Sequence, residues 1–375
     1  QVNLALGLGD MRPSWVEIDL GAVAANVETF SKVASPARLC AVVKADGYGH
    51  GDVPVAETAL EAGASFLAVA LVEEGARLRD AGISAPILLL SEPGIDAVGE
   101  MVAMGLTPTI YTKSFLEGLR KVATGGLPVH LKVDTGMHRA GADAELGFDL
   151  AADIASEPSL QLQGVWTHFA VADADPAFTN DQLASFRRFV SRLSDRGIRP
   201  DLVHAANTPA TLIHPDSHFD MVRVGLGIYG LRPAPDAGPE VDLRPAMRVV
   251  SHVAFSRWFP AGTRPSYGRW RPLPSDSWVA TVPVGYADGV WRSYAEAGGE
   301  VLIGGARRPL AGTVTMDQVV VDCGGEQVEI GSEVVLLGRQ GSEEITADEW
   351  ASRLGTINYE IVCRIGPRMP RRYRR

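Results

Sequence analysis

The chain has 375 residues, a hydrophobic content of 46% and a formal net charge of −10. That length exceeds one ordinary domain and suits a large barrel with a smaller module; the acidity argues against a nucleic-acid binder, which is usually basic. Cys40, Cys323 and Cys363 are too few and too scattered for a disulfide framework or a zinc site, which favours a reducing, cytoplasmic compartment.

No apolar run approaches the roughly 20 residues of a membrane span. The first ten residues are poor material for a signal peptide, and Met11 is a candidate natural start. Leu20 to Ser35 then carries apolar residues at helical spacing (Val23, Val27, Phe30, Val33), with Asp19 as a candidate N-cap. Ala41-Val42-Val43-Lys44-Ala45-Asp46-Gly47-Tyr48-Gly49-His50-Gly51 reads as a buried strand ending on a lysine, followed by a glycine-punctuated turn. A lysine at the inner end of such a strand tends toward a lowered pKa, and a fixed neutral amine is what attachment to a carbonyl needs. The bland alternative is a lysine that ends a strand and reaches for water.

Seven more candidate strands follow: Phe66–Leu71, Pro86–Ser91, Thr107–Tyr111, Val129–Asp134, Leu162–Phe169, Leu202–Asn207 and Phe219–Gly225. Helical segments separate them: Val53–Ala62, Glu73–Asp80, Ile95–Met104, Lys113–Ala123, Ala144–Ser156, Asp181–Arg196 and a short Thr208–Ile213. Short apolar strands between helices mean a parallel sheet covered on both faces. Eight of them in about 210 residues mean a (β/α)8 barrel rather than a doubly wound sheet.

Leu231 to Glu240 is a proline-rich linker. Beyond it, Met247–Trp258, Trp278–Val284, Val301–Ile303, Val319–Cys323 and Val334–Leu337 alternate or are β-branched, as in an antiparallel β module. Thr346 to Glu349 opens a helix with a capping box, and the basic tail from Arg368 reads as solvated. The domains are therefore a barrel over 1–240 and a β domain over 241–375, with the packing of the first 18 residues on the β domain left open.

Barrel active sites lie at the C-terminal ends of the strands. There the chain places Lys44 and Tyr48, then Lys132, Asp134 and Arg139, then Thr167 and His168, then His204, Asn207 and Thr208, then Arg223 and Gly225. Polar and basic groups converge on one mouth. A phosphate would sit after the last two strands, against the Thr208 hydroxyl and the backbone of Gly225 and Leu226.

Three louder motifs carry less. Gly225-Leu226-Gly227-Ile228-Tyr229-Gly230 is a literal G-x-G-x-x-G, but Leu231-Arg232-Pro233 leaves no helix N-terminus for a dinucleotide. Asp134-Thr135-Gly136 has no second copy to form an aspartic dyad. His204, His214 and His218 lack metal-ligand spacing, so no metal is expected.

Several strings together resemble the alanine racemases, pyridoxal 5'-phosphate (PLP) enzymes, over nearly the whole chain. They are the Lys44 stretch, Lys132-Val133-Asp134-Thr135-Gly136-Met137-His138-Arg139, Trp166-Thr167-His168-Phe169, Arg223 to Gly230, Ser266-Tyr267-Gly268, Gly285-Tyr286-Ala287-Asp288-Gly289, Met316-Asp317-Gln318 and Ile357-Asn358-Tyr359-Glu360. The resemblance implies a homodimer in which each active site joins one subunit's barrel to the other's β domain, no membrane or nucleic-acid partner, and D-alanine made for cell-wall synthesis.

It also implies roles. Lys44 holds PLP and acts as base on one face of the substrate, and the partner's Tyr267 acts on the other. Two such groups are what racemisation needs. Tyr48, Asn207, Thr208, Gly225, Leu226 and Tyr359 fall to the cofactor. Arg223 falls to the pyridine nitrogen, which it cannot protonate-exchange with as an aspartate would, and His168 bridges Arg223 and Tyr267. Arg139 and Met316 hold the substrate carboxylate, and Tyr286 narrows the entrance. Lys132, which some relatives carbamylate, supports Arg139, while His204 and Asp317 stand behind the contacting groups.

Thr315, His138 and Pro265 depart from the family pattern without removing a catalytic group. The rivals are a serine or broad-specificity racemase, a decarboxylase on the same architecture, a non-catalytic PLP carrier, and a barrel aldolase using Lys44 without PLP.

Overall fold

The computed structural model describes residues 12–233 and 241–375. Met11, the candidate start, and residues 234–240 of the linker lie outside the described residues. The described residues fall into two compact units: those within Gly21–Arg244, and Pro245–Arg375 together with residues 12–20. Among the described residues no helix is long and apolar enough to cross a membrane.

Strand β1 (Ser14–Asp19) comes first and belongs to the second unit. The first unit holds β2 (Arg38–Val42), β3 (Phe66–Val69), β4 (Ile87–Leu89), β5 (Thr109–Ile110), β6 (Leu127–Lys132), β7 (Leu160–Trp166), β8 (Leu202–His204) and β9 (Met221–Val224). They pair in two parallel runs, β4-β3-β2-β9 and β5-β6-β7-β8. Both seams are joined. Leu88 pairs with Thr107 between β4 and β5, and the Asp220 and Arg223 N–H groups donate to the Val203 and Ala206 carbonyls between β8 and β9. The sheet thus closes into the expected (β/α)8 barrel.

Its strands are nearly continuous apolar runs because both faces are covered. All of β3, β4 and β9 is buried, Arg223 included. The helix expected from Asp181 begins earlier, at Pro176, because Asp175 caps it by accepting from the Phe178 N–H at 3.0 Å and proline suits the first turn.

The second unit is built on a seven-stranded sheet. Its strands are β10 (Met247–His252), β13 (Glu300–Ile303), β14 (Ala306–Pro309), β16 (Glu333–Gln340), β17 (Glu343–Ile345), β18 (Arg371–Arg374) and β1, while β11 (Phe255–Phe259), β12 (Ser277–Val282) and β15 (Val319–Asp322) form a separate three-stranded sheet. The single run expected over Met247–Trp258 is therefore two strands, and the chain changes sheet between them. β1 pairs antiparallel with β10 and parallel with β18. The basic tail is not a solvated extension: it is β18, with Arg372 stacked 3.9 Å from the Trp15 ring centroid and Arg374 paired with Asp19 at 3.1 Å. The run of arginines hid this strand: Arg371 donates to the carbonyls of Gly366, Met369 and Ile365, so its charge is bound within the unit rather than solvated.

Candidate active site

In the barrel unit, Lys44 follows β2 and is half-buried. The next residues turn left-handed: Ala45, Asp46, Gly47 and Tyr48 have φ of 53°, 53°, 57° and 53°. Such a conformation costs about 1–2 kcal/mol for each non-glycine residue, so the surroundings must impose it. Buried Glu74 does much of this. Its Oε1 accepts the Ala45 N–H at 2.6 Å, and its Oε2 accepts those of Ala70 and Leu71 at 2.8 and 3.1 Å. Gly47 and Gly49 N–H groups donate to Val43 and Ala45 carbonyls, each at 3.0 Å.

The turn brings Tyr48 against β9. A Cβ on Gly225 would lie 2.5 Å from Tyr48 Oη, so only glycine leaves the room. The Gly225 N–H donates to Thr208 Oγ1 at 3.1 Å. The Tyr48 and Thr208 hydroxyls therefore meet at Gly225, where barrel enzymes commonly bind phosphate, and two hydroxyl donors beside a glycine that leaves room fit a phosphate monoester. Asn207 is partly spent on structure: its Oδ1 caps the following helix by accepting from Ala210 N–H at 3.1 Å. Leu226 is buried just beyond.

Arg223 lies one strand over, since β2 and β9 pair with Cys40 opposite Arg223 and Ala41 opposite Val224. A buried guanidinium needs many acceptors. Nη1 donates to His204 Nδ1 at 2.7 Å, and Nη2 donates to Thr167 O, Ala205 O and His168 Nδ1 at 2.8, 3.0 and 3.3 Å. Among the described residues, Nε–H and the second Nη1–H have no acceptor. Burial pulls Arg223 down to about 10, so it remains charged at neutral pH.

Other cations crowd the mouth. Lys132 is buried at the end of β6 and is pushed down to about 8 by burial and then by Arg223 and Arg139. His168 is held well below the usual histidine range by burial and by the charges of Arg223, Lys132, Arg139 and Lys44. Exposed Arg139 forms no ion pair among the described residues. Asp134 offers little relief. Its Oδ1 accepts from the N–H groups of Gly136 and His138 at 2.9 and 3.1 Å. The mouth is cationic and suits an anionic ligand.

The β unit presents the remaining candidates on clamped turns. Tyr267 is 72% exposed, yet its backbone is fixed: its carbonyl accepts from Thr313 Oγ1 at 2.9 Å, and Ser266 Oγ donates to Thr313 O at 2.6 Å. A rigid turn thus holds a bare phenol. Met316 and Tyr286 are exposed on two interlocked turns, where Tyr286 and Ala287 N–H groups donate to Thr315 O and Met316 O at 2.9 and 3.0 Å. A Cβ on Gly285 would lie 2.3 Å from Thr315 O. Asp317 pairs with Arg368 at 2.7 Å, and Tyr359 is half-buried on the helix Asn358–Arg364.

Sequence reasoning overlooked Glu74, Thr313 and, beyond His204 behind Arg223, His130 and Gln163. His130 was legible in principle, because it stands two residues before Lys132 and so shares its strand face.

Comparisons with known proteins bear on the family. Residues 18–233 match the family model described as alanine racemase, N-terminal domain, and residues 246–373 the one for the C-terminal domain. The chain is 44% identical to an alanine racemase of Symbiobacterium thermophilum, covering 98% of this chain and 99% of that one. It superposes on the crystal structure of alanine racemase from D-cycloserine-producing Streptomyces lavendulae with a TM-score of 0.90, 40% identity and 97% of each chain covered. A histidine racemase from Leuconostoc mesenteroides shares the fold at a TM-score of 0.89 and 26% identity, over 97% of this chain and 99% of that one. The chain belongs to the alanine racemase family.

Proposed function

We propose that this protein interconverts L- and D-alanine with PLP, as a homodimer whose active sites each combine one copy's barrel with the other's β unit. The observation that carries this reading is the strand pair β2–β9, which sets Lys44, the glycine cradle at Gly225 and a buried arginine at one end of the barrel. The barrel donors fit PLP: Tyr48, Thr208 and the Gly225–Leu226 backbone for the phosphate, and Arg223 for the pyridine nitrogen; to the same cofactor we assign Asn207 and, from the resemblance alone, Tyr359.

Held by Lys44, PLP supplies an electron-withdrawing system that acidifies the Cα–H of the bound amino acid. Lys44 Nζ takes or returns the Cα proton on one face. Tyr267 Oη of the second copy does so on the other, and a bare phenol on a rigid turn is suited to that task. His168 accepts Arg223's N–H at Nδ1, so its neutral ring carries the proton on Nε2, a donor for the phenol oxygen. Arg223 would face the pyridine nitrogen and, as a guanidinium that keeps its own proton, would donate a hydrogen bond to it rather than exchange a proton with it. Arg139 takes the substrate carboxylate with the Met316 backbone N–H, Tyr286 limits side-chain size, and a carbamate on Lys132 supplies the anion that the cationic mouth lacks. Asp317 fixes the Met316 turn through Arg368. The product supplies cell-wall synthesis, and the buried free thiols of Cys40 and Cys323 accord with a cytoplasmic location.

The histidine racemase relative favours one second reading, a broader amino-acid range, because the same fold serves a larger side chain there. PLP-loaded protein incubated with L-alanine, L-serine and L-histidine in D2O tests both. D-alanine deuterated at Cα, formed fastest, supports the proposal. Faster turnover of serine or histidine transfers it to the second reading, and no turnover leaves a PLP carrier.

A further inference from the structure

Behind Arg223 the barrel interior holds two histidines and a glutamine in line. His204 accepts from Arg223 at Nδ1, and its Nε2 lies 2.9 Å from His130 Nδ1. His130 Nε2 lies 3.1 Å from Gln163 Oε1. Both histidines are fully buried. Elimination places the protons. A guanidinium cannot accept, so His204 Nδ1 is bare and the ring carries its proton on Nε2. That proton occupies His130 Nδ1, so His130 carries its own on Nε2 and donates it to Gln163.

The line is built into the strands. A Cβ on Gly164 would lie 2.5 Å from His130 Nδ1, so the neighbouring strand keeps a glycine to make room. The β6–β7 register shifts between Val129 and His130, and Trp166 stacks on His204 at 5.7 Å and 10°. Burial and the charge of Arg223 keep both rings neutral, with His130 lowered to about 4.

We propose that His130 and Gln163 are positioning residues for Arg223: they hold His204 in its Nε2–H form, so that Nδ1 stays a bare acceptor and the guanidinium keeps one orientation. The functional consequence rests on the reading of Arg223 as the pyridine partner, whereas the proton arrangement stands without it. A wrong tautomer at either ring would set two N–H groups against each other in a dry interior.

The test is long-range 15N–1H correlation on full-length protein labelled with 15N-histidine, without and with PLP. The expected result is two neutral rings protonated on Nε2 that do not titrate near neutral pH. Gln163→Leu should convert His130 to mixed tautomers, shift the absorption band of bound PLP and lower kcat about tenfold with KM for alanine unchanged. Gln163→Glu, which keeps an acceptor there, should restore all three. A wild-type His204 protonated on Nδ1, or a Gln163→Leu variant with unchanged tautomers and kcat, overturns the proposal. Where Gln163→Leu does not fold, the wild-type spectrum decides. Loss of the racemase reading would leave the cofactor-free spectrum untouched, so the two failures are distinguishable.

Discussion

Lys132 Nζ lies 4.6 Å from the centroid of the Trp166 ring, and the same ring is shared by Arg223, whose Cζ is 4.5 Å from it. An indole face attracts a cation, but it does not neutralise two of them. Burial first, and then the charges of Arg223 and Arg139, lower the affinity of Lys132 for its proton, to about 8 from 10.5. Below pH 8 the lysine is charged both folded and unfolded, and burying that charge costs stability. Between about 8 and 10.5 the folded state gives up its proton first, so stability rises with pH.

Lys132→Met should therefore be more stable than wild type near neutral pH in carbon-dioxide-free buffer, by up to about 3 kcal/mol. The gap should close toward alkaline pH, as urea unfolding at several pH values would show. A constant gap would mean that Lys132 is not strained by burial. With 13C-bicarbonate, wild type should gain a carbamate resonance that Lys132→Met lacks.

Tyr267→Phe should keep the fold and the bound cofactor, because the exposed ring makes no structural contact that its backbone clamp depends on. Turnover in both directions should fall about a hundredfold or more. Retained turnover would assign the second face to another group.

Gly225→Ala places a methyl against Tyr48 Oη and should weaken PLP retention by about 1–3 kcal/mol. The Gly225→Ala/Tyr48→Phe double variant should lose less than the sum of the two single changes, measured by PLP titration. Strict additivity would separate Tyr48 from the cradle.

Glu74→Gln should lower stability by about 3 kcal/mol, since a carboxylate serving three backbone N–H groups becomes an amide with one oxygen. The Ala45 amide should exchange with solvent faster than its neighbours. Unchanged exchange there would show that the turn holds itself.

The barrel was legible because strands covered on both faces must be apolar, and β3 and β4 are plain apolar runs while β9 is one interrupted only by Arg223. The strings around Lys44, Arg223 and Tyr267 single these residues out as candidates. What the sequence concealed was conformation and partnership. Ala45 and Asp46 carry no mark of a left-handed backbone, and Glu74 meets that turn from 29 residues away. Arg371 to Arg374 resembles a soluble tail until β1 is seen to pair with it. Gln163, 33 residues from His130, reveals itself only once Arg223 fixes which nitrogen of each histidine must accept.

The account turns on Lys44 as the residue that holds PLP. Borohydride reduction of the PLP-loaded protein, followed by peptide mass analysis, measures this directly. Pyridoxyl mass on Lys44 alone is the predicted result; the same mass on another lysine, or on none, would contradict it.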